Sequence, residues 1–161
     1  MGPPSPSVDA AWKDLLLGLN VRGTKEELIR GGENFTNIAQ LTDGDYVIVP
    51  LVYHQIHCLD TFRRMQYIDY YRGIAGPDDD LSIPEGHFDH CLENLRKQVM
   101  CHADLSMLTG EWVKPSTEKD HIELRTMSKS KCVKWEPIES WARSRSLDRG
   151  KYSILAGPFG A

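Results

Sequence analysis

Histidine and cysteine are scarce in this chain, six and four among 161 residues, yet they gather in two places. His54, His57 and Cys58 stand in the run HQIHC, and His87, His90 and Cys91 repeat the same HxxHC spacing in HFDHC. Residues three apart lie on one face of an α-helix, about a turn from each other. Two imidazoles so placed can grip one metal ion, and two such pairs on facing helices can build a single site, as metal centres in helical bundles do. The expected ligand set, and with it the expected catalytic set, is His54, His57, His87 and His90, holding one or two ions.

The second run continues into Cys101, His102 and Asp104. His102 falls twelve residues after His90, about 18 Å along an unbroken helix. It joins the same site only where the helix bends or ends first; otherwise it is a helix-end histidine facing the dipole. Asp104 is placed either to orient a ligating imidazole from behind or to cap the next turn. His121 lies outside any motif and reads as a surface residue.

Imidazole suits copper, zinc, iron and nickel, while thiolate selects zinc, copper(I) or iron–sulfur sites. Zinc does not change oxidation state and would serve hydrolysis or structure. Copper on three or four histidines cycles between two states and activates dioxygen. A zinc-stabilised interaction module with His and Cys ligands is the rival reading, and it predicts unfolding by chelators.

The elements that must position these residues are mostly helical. From Asp9, Trp12, Leu15, Leu16 and Leu19 mark one side of a short helix, and Thr24 with Glu27 makes a capping box for a second, stopped by Gly31-Gly32. Thr42-Asp43-Gly44-Asp45 is a turn, and Tyr46 to Val49 is the best strand candidate. Pro50 then opens a helix running through HQIHC to about Tyr71, with Ile56, Leu59, Phe62 and Met65 at near-helical spacing. Gly73 to Gly86 is a loop joining the two motif helices, and its Asp78-Asp79-Asp80 run lacks the spacing of a calcium loop. Phe88, Leu92, Leu95 and Val99 stripe the second motif helix. Leu105 to Glu123 has little periodicity and is expected to wrap the surface. Trp135, Ile138 and Trp141 mark a last helix opened near Pro137.

The net charge of −4, with both signs interspersed, offers no basic stripe for nucleic acid. No run of about 18 apolar residues is present, the start MGPPSPS is no signal peptide, and Pro6 stands where myristoylation needs Ser or Thr. Tyr53, Tyr67, Tyr70 and Tyr71 flank the first motif and read as packing, as do Trp12, Trp112, Trp135 and Trp141.

The doubled HxxHC motif followed by Cys101-His102-Ala103-Asp104 resembles the UstYa-like family of fungal secondary-metabolite biosynthesis proteins. The similarity runs from about Asp9 to Arg145, taking in the Trp12 helix, the Asp-Gly turn and the Cys132…Trp141 segment. It implies a copper-dependent oxidative tailoring enzyme that uses dioxygen to cyclise, hydroxylate, desaturate or halogenate a peptide or related metabolite. It also implies a lumenal domain, behind a membrane anchor that this chain does not show, and a paralogous partner or a homodimer; since members occur in pairs, a second rival reading is a non-catalytic partner of a paralogous oxidase. One departure stands out: the family commonly has His two residues before the last cysteine, where this chain has Ser130.

An even number of cysteines permits two disulfides, and Asn34-Phe35-Thr36 is a glycosylation sequon. Together they lean towards an oxidising secretory lumen. The cysteines read either as zinc ligands with the histidines or as staples. A thiolate beside a dioxygen-activating copper risks oxidation, which favours staples, Cys58–Cys91 and Cys101–Cys132. The expected fold is mainly α: a small single domain (residues 9–145) with two central motif-bearing helices, short strands and disulfide staples. A disordered stretch (1–8) would precede it and a loose tail (146–161) follow it.

Overall fold

Ser5 opens the first helix. Its Oγ accepts from the Val8 N–H at 3.3 Å, and Pro6 takes the first helical position, where a missing N–H costs nothing. Helix α1 (Pro6–Leu15) thus begins inside the Pro/Ser stretch that composition assigns to a linker. The computed structural model describes residues 2–75, 84–113, 121–148 and 150–158. After α1 come a 3-10 turn (Leu16–Gly18), β1 (Val21–Gly23), α2 (Lys25–Gly31), β2 (Tyr46–Ile48), α3 (Leu51–Gln66) and α4 (Ile68–Ile74). Then follow α5 (His87–Cys101), β3 (Thr109–Val113), β4 (His121–Arg125) and α6 (Trp135–Arg143). The architecture is mainly α, with two short antiparallel ribbons, β1–β2 and β3–β4.

Several boundaries follow from local chemistry. Both halves of the capping box form at α2: the Glu27 N–H donates to Thr24 Oγ1 and the Thr24 N–H to Glu27 Oε2. Gly32, at φ 74°, ends that helix in the left-handed region. Pro50 caps α3 instead of starting it, and the helix expected to reach Tyr71 breaks at Tyr67 (φ −116°, ψ 35°) before resuming as α4. Pro137 lies in the first turn of α6, where an absent N–H breaks no helical bond.

The core gathers where α3 and α6 meet the β1–β2 ribbon: Val21, Tyr53 and Ala142 are buried, with Leu19, Ile48, Val52, Trp135 and Ile138 packed around them. Gly18 is required by this packing, because a Cβ there would fall on the Tyr53 ring and 2.7 Å from the Ala142 Cβ. A second anchorage fixes α1 to the far end of α3. Asp9 accepts from Tyr71 Oη (2.5 Å), Arg63 (3.0 Å) and Tyr70 Oη (3.2 Å), while Asp60, 4% exposed, accepts from Arg63 and Arg64. The Arg63 guanidinium also lies over the rings of Trp12 and Tyr71. Burial pushes the Asp9 carboxyl up, but the bonds from Tyr71, Arg63 and Tyr70 outweigh it and hold the group below the usual range.

Three expectations are corrected. The C-terminal segment is fastened, not loose: Leu147 N–H donates to Asn20, Thr42 N–H to Ser153 and Leu155 N–H to Gln40, with bridges Val21–Ser146 and Leu41–Ile154. Polar, Gly-containing composition hid this because backbone groups make the bonds. The stretch after Leu105, which lacks helical periodicity, forms β3 and β4 in register Thr109–Arg125 to Val113–His121. Apolar residues of both strands, including Trp112, Ile122 and Leu124, remain exposed, so no alternation of buried and polar positions announces the strands. The disulfide staples are not borne out: no disulfide bond is present among the described residues, with Cys58 and Cys91 buried side by side and Cys101 and Cys132 exposed. Cys58 and Cys91 sit side by side, both fully buried, where α3 and α5 meet. The Asp78–Asp80 run and the side chain of His121 lie outside what is described.

Candidate metal centre

Helices α3 and α5 pack against each other, and the order of their contacts shows that they run antiparallel: His54 meets His90, and His57 meets His87. The helical period puts Cys58 and Cys91 at the middle of the contact, both fully buried. The histidines lie on one flank and the edge-on pair Phe62–Phe88, centroids 4.6 Å apart, on the other. This is why each HxxHC run carries both kinds of residue: the cysteine fills the seam, and the histidines line its rim.

The four imidazoles form a closed circuit. Ring centres are 5.3 Å apart for His54–His90, 5.8 Å for His57–His87, 6.2 Å for His54–His57 and 6.5 Å for His87–His90. Four imidazoles around one ion, at about 2.0–2.1 Å from each nitrogen, would stand roughly 5 Å apart. The His54–His90 pair is close to that spacing and the other three are wider. In keeping with this, among the described residues no three His, Cys, Asp or Glu side chains already stand at ligating separation.

The donor chemistry fits a transition metal. Burial, then the neighbouring rings of His90 and His87, lowers the His54 pKa; burial, then His87 and His54, lowers that of His57. Both rings are therefore neutral at pH 7, the state in which imidazole ligates. Asp60, one turn along from His57 and paired with Arg63 and Arg64, acts on that ring in the opposite direction, and Arg64 counters it. Burial, then Cys91 beside it, pushes the Cys58 thiol up to about 12. His54, His57 and His87 are half-buried and His90 is exposed, so the rim opens to solvent.

The two downstream candidates lie elsewhere. His102 ends α5, its Nδ1 2.7 Å from Gln98 Nε2, and among the described residues no ring contact joins it to the four. Among the described residues, Asp104 is hydrogen-bonded to no imidazole. Its carboxylate accepts from Ser106 N–H, Ser106 Oγ and Ser130 Oγ, bonds that hold it at about 2 and tie the end of α5 to the segment before α6. Asn34 is exposed, and its side chain accepts from the Thr36 N–H. Sequence reasoning passed over Asp60 and Asn94, although both fall at helical spacing from motif histidines, three after His57 and four after His90.

Compared with known families, residues 1–145 match the description "Mycotoxin biosynthesis protein UstYa". The chain belongs to the UstYa family. Among curated UstYa-family relatives, the UstYa family oxidase aprY of Aspergillus flavus is 26% identical, over 98% of this chain and 50% of that protein. The UstYa family oxidase phomYc of Diaporthe leptostromiformis is 23% identical over 91% of this chain and 59% of its own length. The oxidase ustYa of Aspergillus flavus is 30% identical over 60% of this chain and 40% of that protein. The chain thus spans about half the length of the UstYa relatives it matches. No solved structure matches it.

Proposed function

We propose that this chain is the oxidative domain of a natural-product tailoring enzyme, with a copper centre held by His54, His57, His87 and His90. The observation that carries the reading is the pair of cross-helix imidazole contacts, His54–His90 at 5.3 Å and His57–His87 at 5.8 Å. They bring both HxxHC runs to one place in a family whose relatives are named oxidases. Bound there, in one ion or two, copper would supply one-electron redox chemistry and the activation of dioxygen.

The chain's own residues prepare that site. Helices α3 and α5 fix the spacing of the rings, burial keeps His54 and His57 neutral, and Asp60 stands one turn along from His57. The bonds from Arg63 and Arg64 lock that carboxylate in place. Exposed His90 leaves one side open to a substrate, a peptide or related secondary metabolite. A paralogous or identical second subunit, a membrane anchor on a longer protein, a lumenal location and a glycan on Asn34 belong to the same reading. No helix among the described residues is long and apolar enough to cross a membrane.

The test is oxygen uptake by the copper-loaded chain with linear precursor peptides, alone and with a paralogue present. Uptake should accompany loss of two hydrogens, gain of an oxygen atom or, with halide, gain of a halogen. Unchanged peptide masses and no uptake under both conditions would sink the oxidase reading.

A further inference from the structure

Two donors where α1 meets α3 lack an acceptor. Trp12 Nε1 and Arg63 Nη1 are buried and, among the described residues, have no hydrogen-bond partner. Trp12 is only 8% exposed and the Arg63 side chain 10%. The two side chains are stacked, the guanidinium carbon 5.2 Å from the centre of the indole, and both line one cleft of about 500 Å³. Leu59, Phe62 and Tyr67 give that cleft its apolar wall, exposed Gly2 and Pro3 edge it, and none of the four histidines lines it. The other polar atoms of Arg63 are engaged, Nη2 with Asp9 and Nε with Asp60, each at 3.0 Å. Buried donors without an acceptor are rare in a folded protein and call for a bound group that completes them.

We propose that this cleft is a second binding site, for a neutral peptide group beside an apolar side chain. A carbonyl oxygen of the ligand accepts from Trp12 Nε1 and Arg63 Nη1, and the side chain lies against Leu59, Phe62 and Tyr67. A concave space of this size, mostly apolar with a few convergent donors, is the usual form of a small-ligand site. Charge selects the acceptor. Asp9 and Asp60 already match Arg63 and Arg64, so the four groups carry no net charge. A carboxylate brought to Nη1 would be desolvated beside two others, whereas a carbonyl adds no charge. The site stands apart from the histidines and does not depend on a metal there.

The test titrates the full chain with three probes and follows nitrogen–proton correlation spectra. N-acetylphenylalanine amide has both the carbonyl and the apolar side chain, N-acetylglycine amide lacks the side chain, and N-acetylphenylalanine carries a carboxylate. The first should move the Trp12 indole N–H signal downfield with a Kd of about 1 mM, ordinary for a ligand of that size. The other two should bind clearly more weakly. Trp12→Phe keeps a ring and removes the N–H; it should weaken binding of the first probe about 3- to 10-fold, read from the backbone amides of Leu59 to Tyr67. Leu59→Lys, at a half-exposed position that folding tolerates, should abolish it. An indole signal that none of the probes moves would leave both donors to water and overturn the site. So would either variant binding the first probe as the parent does, and a carboxylate probe that binds as tightly as the amide would overturn the neutral ligand class.

Discussion

His54 on α3 and His90 on α5 face each other with ring centres 5.3 Å apart, the closest approach within the histidine circuit. Each comes from a different HxxHC run, so neither run completes the site alone. Groups that bind one ion act as a unit, and their losses are not additive. His54→Ala and His90→Ala should each cost at least about tenfold in copper affinity, and the double variant should cost clearly less than the product. Chelator competition on the three proteins checks this. A double variant whose loss equals the product would place the two rings in separate sites.

Gly18 touches Tyr53 and Ala142 where no side chain fits. Gly18→Ala should destabilise the fold by about 1–3 kcal/mol, the usual cost of overpacking, measured by urea unfolding. Tyr53→Phe should do the reverse or nothing, since the Tyr53 hydroxyl is buried without a partner among the described residues and its removal relieves an unsatisfied group. A loss above about 1 kcal/mol in Tyr53→Phe would reveal a hydrogen bond that this packing lacks.

Glu27 accepts from the Thr24 backbone and pairs with Arg145, which together hold its carboxyl below the ordinary 4.5. The folded state therefore binds this proton less readily than the unfolded chain. Its contribution is complete above the unfolded value and fades as pH falls from 4.5 through the lower folded value. Glu27→Gln keeps the capping-box acceptor but removes the charge paired with Arg145, and should lower stability at pH 7 by at most about 1 kcal/mol. It should also flatten the acid limb of the stability–pH curve, read from urea midpoints between neutral and acid pH. An unchanged acid limb would show that Glu27 does not titrate with folding.

Much of this arrangement is legible in the sequence, for identifiable reasons. The i, i+3 histidines announce themselves because helical spacing alone puts each pair on one face, and a repeated motif implies a shared site. The capping box at Thr24 and the turn around Gly44 are local chemistry, and both stand where the residues place them. What lay hidden depends on distant partners. The strand at Val21–Gly23 is three residues long and exists because Tyr46–Ile48 and the Arg145–Leu147 backbone complete its hydrogen bonds. The end of the chain looks loose until those edges are present. Cys58 and Cys91 read as a staple from their number and their rarity; the seam between α3 and α5 does bring them side by side, without a disulfide bond between them. Asp104 follows the motif in sequence, yet it turns to Ser106 and Ser130 once α5 has ended.

The most direct test of the account is the metal content of the purified chain. Protein made in an oxidising compartment, loaded with copper and desalted, would be analysed by mass spectrometry alongside His87→Ala and His90→Ala. The account predicts stoichiometric copper in the parent chain and its loss in both variants. Stoichiometric zinc that protects the cysteines from thiol reagents, or copper retained in both variants, would contradict it.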